Sequence, residues 1–192
     1  MRKLVLTALL TSMLCSPTFA GDTPPILSQP DPDSPIGARN PDGAPGLGQY
    51  DFLIGDWDAD ITWTPPGGQE VRYRAKWHNI WAVNGYVVIQ EWRGPYQTGA
   101  EIRSYDTKTD SWSGYNIYPT LRGWKKVTAK AENGGMAVII EGASDERGEF
   151  LNRETYYDVA PGSFKMKSEK SYDGGENWEP GNYVMTVTRA DR

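Results

Sequence analysis

Cysteine and histidine are almost missing from this 192-residue sequence, which holds one of each. The cysteine, Cys15, closes an apolar run that begins at Leu4, follows Arg2 and Lys3, and leads into Pro17, Thr18 and Ala20. That order of charge, apolar run and small residues is the pattern of a secretory signal peptide over residues 1–20, cut after Ala20. An exported chain of this kind has no disulfide, no thiol nucleophile and no cysteine-based zinc site, so burial alone must hold it together. A long apolar run is also lacking: nothing approaches the roughly 20 residues of a membrane helix, and no membrane insertion is expected. Basic residues are few. The signal takes away two of them and no acidic residue, moving the formal net charge from -5 to -7, which excludes nucleic acid and anionic lipid as favoured partners.

Catalytic signatures are absent as well. The chain has no G-x-S-x-G elbow, P-loop, H-E-x-x-H or dinucleotide fingerprint, so no motif implies a cofactor, a metal or a catalytic residue. The alternating acids Asp56, Asp58 and Asp60 resemble a calcium loop only in part, because position twelve from Asp56 is Gly67 rather than Glu.

What is present falls into two parts. Residues 21–49 are rich in Pro and Gly and read as a disordered or extended leader. All eight Trp and all eleven Tyr lie from Tyr50 onward, which makes residues 50–192 one domain with a single core. Its apolar residues alternate over short stretches, with turn chemistry between them. Strands are expected at 52–63, 70–82, 86–93, 99–106, 111–118, 123–131, 136–143, 149–158, 163–171 and 178–189. Ten strands joined by short turns must hide their edges, and an all-β, antiparallel up-and-down barrel does so by closing on itself.

The turns around Gly67 and at Asn84-Gly85 set a register for the first three strands. Trp57 then faces Trp77, which faces Trp92, on an apolar face that should point inward. The opposite face pairs Asp60 with Arg74, Asp58 with Lys76, and Asp56 with His78, which faces Glu91. That ladder reads as a solvated outer surface, with an Asp-His-Glu acid/base site as the alternative. The stretch Ser171-x-Asp173-x-Gly175-x-x-Trp178 has the spacing of an Asp box. A propeller needs at least four blades of four strands, so a single box in ten strands is read as a well-made turn.

Gly55-x-Trp57 on the first strand resembles the G-x-W signature of calycins, the superfamily of lipocalins and fatty-acid-binding proteins. The resemblance implies that an Arg or Lys from the last strand stacks on the Trp, and Arg189 is the residue that matches. Phe52 to Trp57, Gly85, Glu91-Trp92, Tyr105-Asp106 with Trp112, and Asp173 to Trp178 are similar to a bacterial calycin-like family of unknown function, over about residues 50–190. Barrels of the nitrobindin type, also related, bind haem through a late histidine. Here the one histidine is His78 on the second strand, so haem on a histidine is not implied, and Tyr183 is the residue whose chemistry would allow ligation.

The expectation is therefore a periplasmic or secreted barrel that binds a small apolar or aromatic ligand. Trp57, Trp77 and Trp92 are the expected ligand-binding residues, with Tyr115 and Arg153 added. Two other classes stay open: an enzyme using barrel carboxylates, with Glu91 and Glu154 the first to inspect, and an envelope interaction module docked by its Pro-rich leader.

Overall fold

The computed structural model describes residues 34–119 and 123–191; the expected signal peptide and the leader up to residue 33 lie outside the described residues. Ten strands follow one another: β1 Gly55–Trp63, β2 Val71–Ala82, β3 Val87–Arg93, β4 Thr98–Asp106, β5 Ser111–Tyr118, β6 Gly123–Glu132, β7 Gly135–Asp145, β8 Gly148–Ala160, β9 Ser163–Ser171 and β10 Glu179–Arg189. Each pairs antiparallel with its sequence neighbours, and β1 pairs with β10, so the sheet closes into a barrel with no free edge. This is the all-β, up-and-down architecture that the turn spacing predicts.

The first three strands take the expected register. Trp57 lies opposite Trp77 and Trp77 opposite Trp92, while Asp60, Asp58 and Asp56 face Arg74, Lys76 and His78. The tryptophans point inward; the charged residues point out. Asp60 binds Arg74 at 2.6 Å and Asp56 binds His78 Nδ1 at 2.5 Å, and Lys76 pairs with Asp58. The only acid opposite His78 on β3, Glu91, is held by Arg93 at 2.6 Å on the same outer wall.

Two expectations about the first residues are corrected. Phe52 to Ile54 do not extend β1, because a 3₁₀ helix occupies Pro45–Leu53. Three residues per turn put Leu47, Tyr50 and Leu53 on one face, and all three are buried. They close one end of the barrel. Nor is the leader extended and unattached over its described part. The Ile36 carbonyl accepts from Trp81 N at 2.9 Å, and the Asn40 side chain donates to the Asn84 carbonyl at 2.9 Å. Gly85, at φ +76°, lets this strap approach; a Cβ there would collide with the backbone of Ala38 and Asn40. Its proline and glycine content hid these few backbone contacts.

The calycin-like signature forms as the resemblance implies. Arg189 is the Cα partner of Trp57, its guanidinium carbon lies 3.8 Å from the centroid of the Trp57 ring, and it donates to the Ile54 carbonyl at 2.5 Å. Gly55 is required there on two counts: φ is +125°, and a Cβ would strike the Arg189 guanidinium. The Asp box is a turn between β9 and β10. Asp173 accepts from Asn177 N at 2.9 Å and from Ser171 Oγ at 2.7 Å. These bonds, first of all the one from Asn177 N, hold its carboxyl well below the usual range.

The two ends of the barrel differ. At the plugged end Trp57, Trp81, Trp112, Phe164 and Tyr156 pack under the 3₁₀ helix and are buried. Toward the other end the inward-facing Trp63, Tyr73, Trp92 and Tyr183 are only partly covered, and Tyr96 packs at a tilt against Trp63 and edge to face with Tyr73 at that rim.

Candidate functional site

The inner wall of the barrel is not uniformly apolar. Alternation along β4 turns Glu101 and Arg103 inward and Ile102 outward, and Glu101 and Arg103 are buried. Following the strand pairs sideways, Asn79 faces Gln90, Gln90 faces Glu101, Glu101 faces Asn116 and Asn116 faces Lys125. Five adjacent strands thus carry one polar residue each in a single row. It climbs from near the plugged end on β2 to the open end on β6.

Arg103 is the centre of the charges. It pairs with Glu101, donates through Nη1 to the Tyr50 hydroxyl of the 3₁₀ helix, and places its guanidinium carbon 4.5 Å from the Tyr50 ring centroid. Burial works against its charge, but Glu101, with Tyr50, Tyr156 and Glu154, more than offsets it, so the pKa is raised. On the facing wall Glu154 is also buried, and the Tyr183 hydroxyl donates to it at 2.5 Å. Burial pushes the Glu154 carboxyl up to about 7, with the Tyr183 bond acting the other way and Glu101 adding to the rise. Glu101 is raised by burial too, against the pull of Arg103.

The amides complete the wall. Asn79 is 0% exposed and Asn116 2% exposed, and neither atom of either amide has a hydrogen-bond partner among the described residues. Trp77 Nε1 and Arg103 Nε are likewise buried and unpartnered. Leaving such a group unsatisfied costs about 1–3 kcal/mol each, so this wall calls for partners that the described residues do not supply.

The expected site residues divide. Trp57, Trp77 and Trp92 face inward, but Trp57 sits under the plug with its Nε1 donating to the Leu53 carbonyl at 2.7 Å, which makes it a closure residue. Trp77 and Trp92 meet edge to face at 5.6 Å between centroids, nearer the open end. Tyr115 and Arg153 are corrected. Tyr115 is three residues from the inward Trp112, an odd spacing that turns it out, and it is 52% exposed. Arg153 neighbours the inward Glu154, so it lies outside, bonded to Glu169 at 3.0 Å and stacked on Trp178 at 4.1 Å. Of the two acids singled out for catalysis, Glu154 is inward and Glu91 outward; the acid that accompanies Glu154 inside is Glu101. Asn79, Gln90, Glu101, Arg103 and Asn116 were missed, although a strict two-residue alternation counted from Trp77 and Trp112 reaches Asn79 and Asn116.

Tyr183 does not fit the role of a haem ligand. Its hydroxyl is committed to Glu154, and burial, then the Glu154 charge, raises its pKa well above the ordinary phenol value. Two depressions of the surface, about 420 Å³ beside Glu132 and Tyr157 and about 290 Å³ beside Glu149 and Tyr172, lie on or near the outer wall and share little with this cluster.

No protein-family model and no curated protein matches the chain. Among solved structures, Rv2717c from M. tuberculosis is similar at 12% identity and a TM-score of 0.52, over 78% of this chain and all of that one. The S-type phycobiliprotein lyase CPES from Guillardia theta is similar at 8% identity and a TM-score of 0.49, over 74% of this chain and 91% of that one. The chain shares the barrel fold of Rv2717c. At these identities the likeness speaks of fold alone.

Proposed function

We propose that the protein is an exported barrel that binds a small molecule inside, entered from the end opposite the 3₁₀ plug, and that it belongs to the bacterial calycin-like family its strand motifs resemble. Export rests on the signal pattern of residues 1–20. Binding rests on one observation above all: buried Asn79 and Asn116 keep every amide atom without a partner, an arrangement that a packed core has no use for and a ligand satisfies. Trp77 and Trp92 supply aromatic surface next to that wall. The ligand is therefore aromatic in body and polar at one edge, where an apolar molecule alone would leave the amides unpaired.

Native mass spectrometry on protein purified from its exporting host without denaturant tests this. A reproducible added mass, lost on denaturation, supports it; a bare chain from several hosts, together with no uptake of any aromatic probe, removes it.

An enzyme is the second reading, favoured by the buried pair Glu101 and Glu154 and by the raised pKa of Glu154, the state a general acid needs at neutral pH. Release of nitrophenol from aryl glycosides, lost in both Glu101→Gln and Glu154→Gln, is its signature. No release from such a panel counts against it. The outward course of Asp56, His78 and Glu91 leaves that trio as a surface ladder.

A further inference from the structure

From the same interior site we infer the edge chemistry of the ligand: a planar, uncharged heteroaromatic whose rim presents adjacent hydrogen-bond donors and acceptors, as a cyclic imide or lactam does. The inference rests on the small-molecule reading above and narrows it. Three observations carry it.

The first is the kind of group left unpaired. Asn79 and Asn116 each offer a carbonyl oxygen and an NH₂, Trp77 and Arg103 each offer an N–H, and Gln90 keeps a free oxygen, all in the buried wall. Primary amides pair in two-point fashion with an edge that alternates donor and acceptor, as Asn and Gln do with adenine. A hydrocarbon satisfies none of these groups, and a carboxylate satisfies only the donors.

The second is charge. Arg103, the only buried cation of the wall, is already taken by Glu101 and by the Tyr50 hydroxyl. Glu154 stands on the facing wall and keeps its proton up to about pH 7, so Arg103 and Glu101 balance. An anionic ligand would meet two buried carboxyl groups; the other cation of the row, Lys125, is only half-buried at its open end and donates to the Gly142 carbonyl.

The third is placement. Asn79 and Asn116 are three strand spacings apart on one row, about 14 Å along the wall, with Gln90 and Glu101 between them. The closed curve of the barrel aims both amides toward the axis. Trp77 precedes Asn79 by one inward position on β2, with Trp92 paired to it, so indole surface lies beside the amides.

Three probes of nearly equal size separate the classes: quinazoline-2,4-dione, naphthalene and 2-naphthoate, with Kd measured by equilibrium dialysis on the full exported chain. The dione is expected to bind at least tenfold tighter than naphthalene, and the naphthoate more weakly than either. In the double variant Asn79→Leu, Asn116→Leu the dione preference should fall to within twofold while naphthalene binding is kept. That variant should also melt at or above the parent temperature, since isosteric Leu removes unpaired buried amides; the Asn→Ala pair reads the same preference if Leu is not accommodated. Tightest binding by the naphthoate, or a dione preference that survives both variants, overturns the inference. Naphthalene bound with no preference for the dione overturns it and leaves the barrel reading standing, whereas no binding by any of the three removes both.

Discussion

Two sets of charged residues occupy opposite sides of the same sheet, and they obey different rules. On the outer wall of β1 and β2, Asp56, Asp58 and Asp60 face His78, Lys76 and Arg74 across the strand pair. Water reaches every member, each pair contributes about 0–1 kcal/mol, and salt weakens it. On the inner wall Glu101, Arg103 and Glu154 are buried away from bulk solvent. There the Coulomb attraction must first offset desolvation, so each group depends on its neighbours. The outer set is removable residue by residue; the inner set stands or falls together.

The largest effect should come from Arg103→Met. It strands Glu101 and frees the Tyr50 hydroxyl, and urea denaturation should show a loss of about 3–5 kcal/mol at neutral pH. A loss below 1 kcal/mol would mean that the inner cluster behaves like the outer ladder. Next is the pH response. The folded pKa of Glu154 is about 7, against 4.5 for the free side chain. Its raised value favours the folded state fully below about pH 4.5, and that advantage fades as pH rises to 7 and beyond, by up to about 3 kcal/mol. Stability should fall between pH 5 and pH 8, and Glu154→Gln should flatten that slope. An unchanged slope in the variant would transfer the effect to Glu101, which shifts in the same direction.

A smaller change is expected from Arg189→Ala, which gives up the stack on Trp57 and the bond to the Ile54 carbonyl. About 1–2 kcal/mol is the expected loss in the same assay. Least of all, Asp58→Asn on the outer ladder should cost under 1 kcal/mol, and the cost should vanish in 0.5 M salt. A larger, salt-resistant loss would show that the ladder acts as a network.

The contrast also explains what was legible in the sequence. Strand positions and the β1–β3 register could be read because Asn84-Gly85 fixes a hairpin and three tryptophans mark one face; that face is apolar except at Asn79 and Gln90. On β4 the correspondence inverts. Glu101 and Arg103 face in, Ile102 faces out, and hydrophobicity points the wrong way. The same inversion on β5 sends Tyr115 outward and Asn116 inward, and Trp124 on β6 is 60% exposed. Hydrophobic alternation cannot see a polar interior; only parity counted from a fixed residue can. Arg153 and Glu154 illustrate the limit, since neighbours on a strand cannot both line the core. The 3₁₀ helix escaped for another reason: Leu47, Tyr50 and Leu53 repeat every three residues, a period that matches neither strand nor α-helix.

The strap that crosses the β2–β3 turn and the end of β10 at Arg189 lie at the same pole of the barrel, where Ala190 N reaches the Asp56 carbonyl at 3.0 Å. The strap and the end of β10 are therefore two handles on the sealed base, with the aromatic rim at the opposite pole. Fixed to a bead or a sensor surface through either handle, the barrel stands upright like a cup on its foot, its rim turned to the solution.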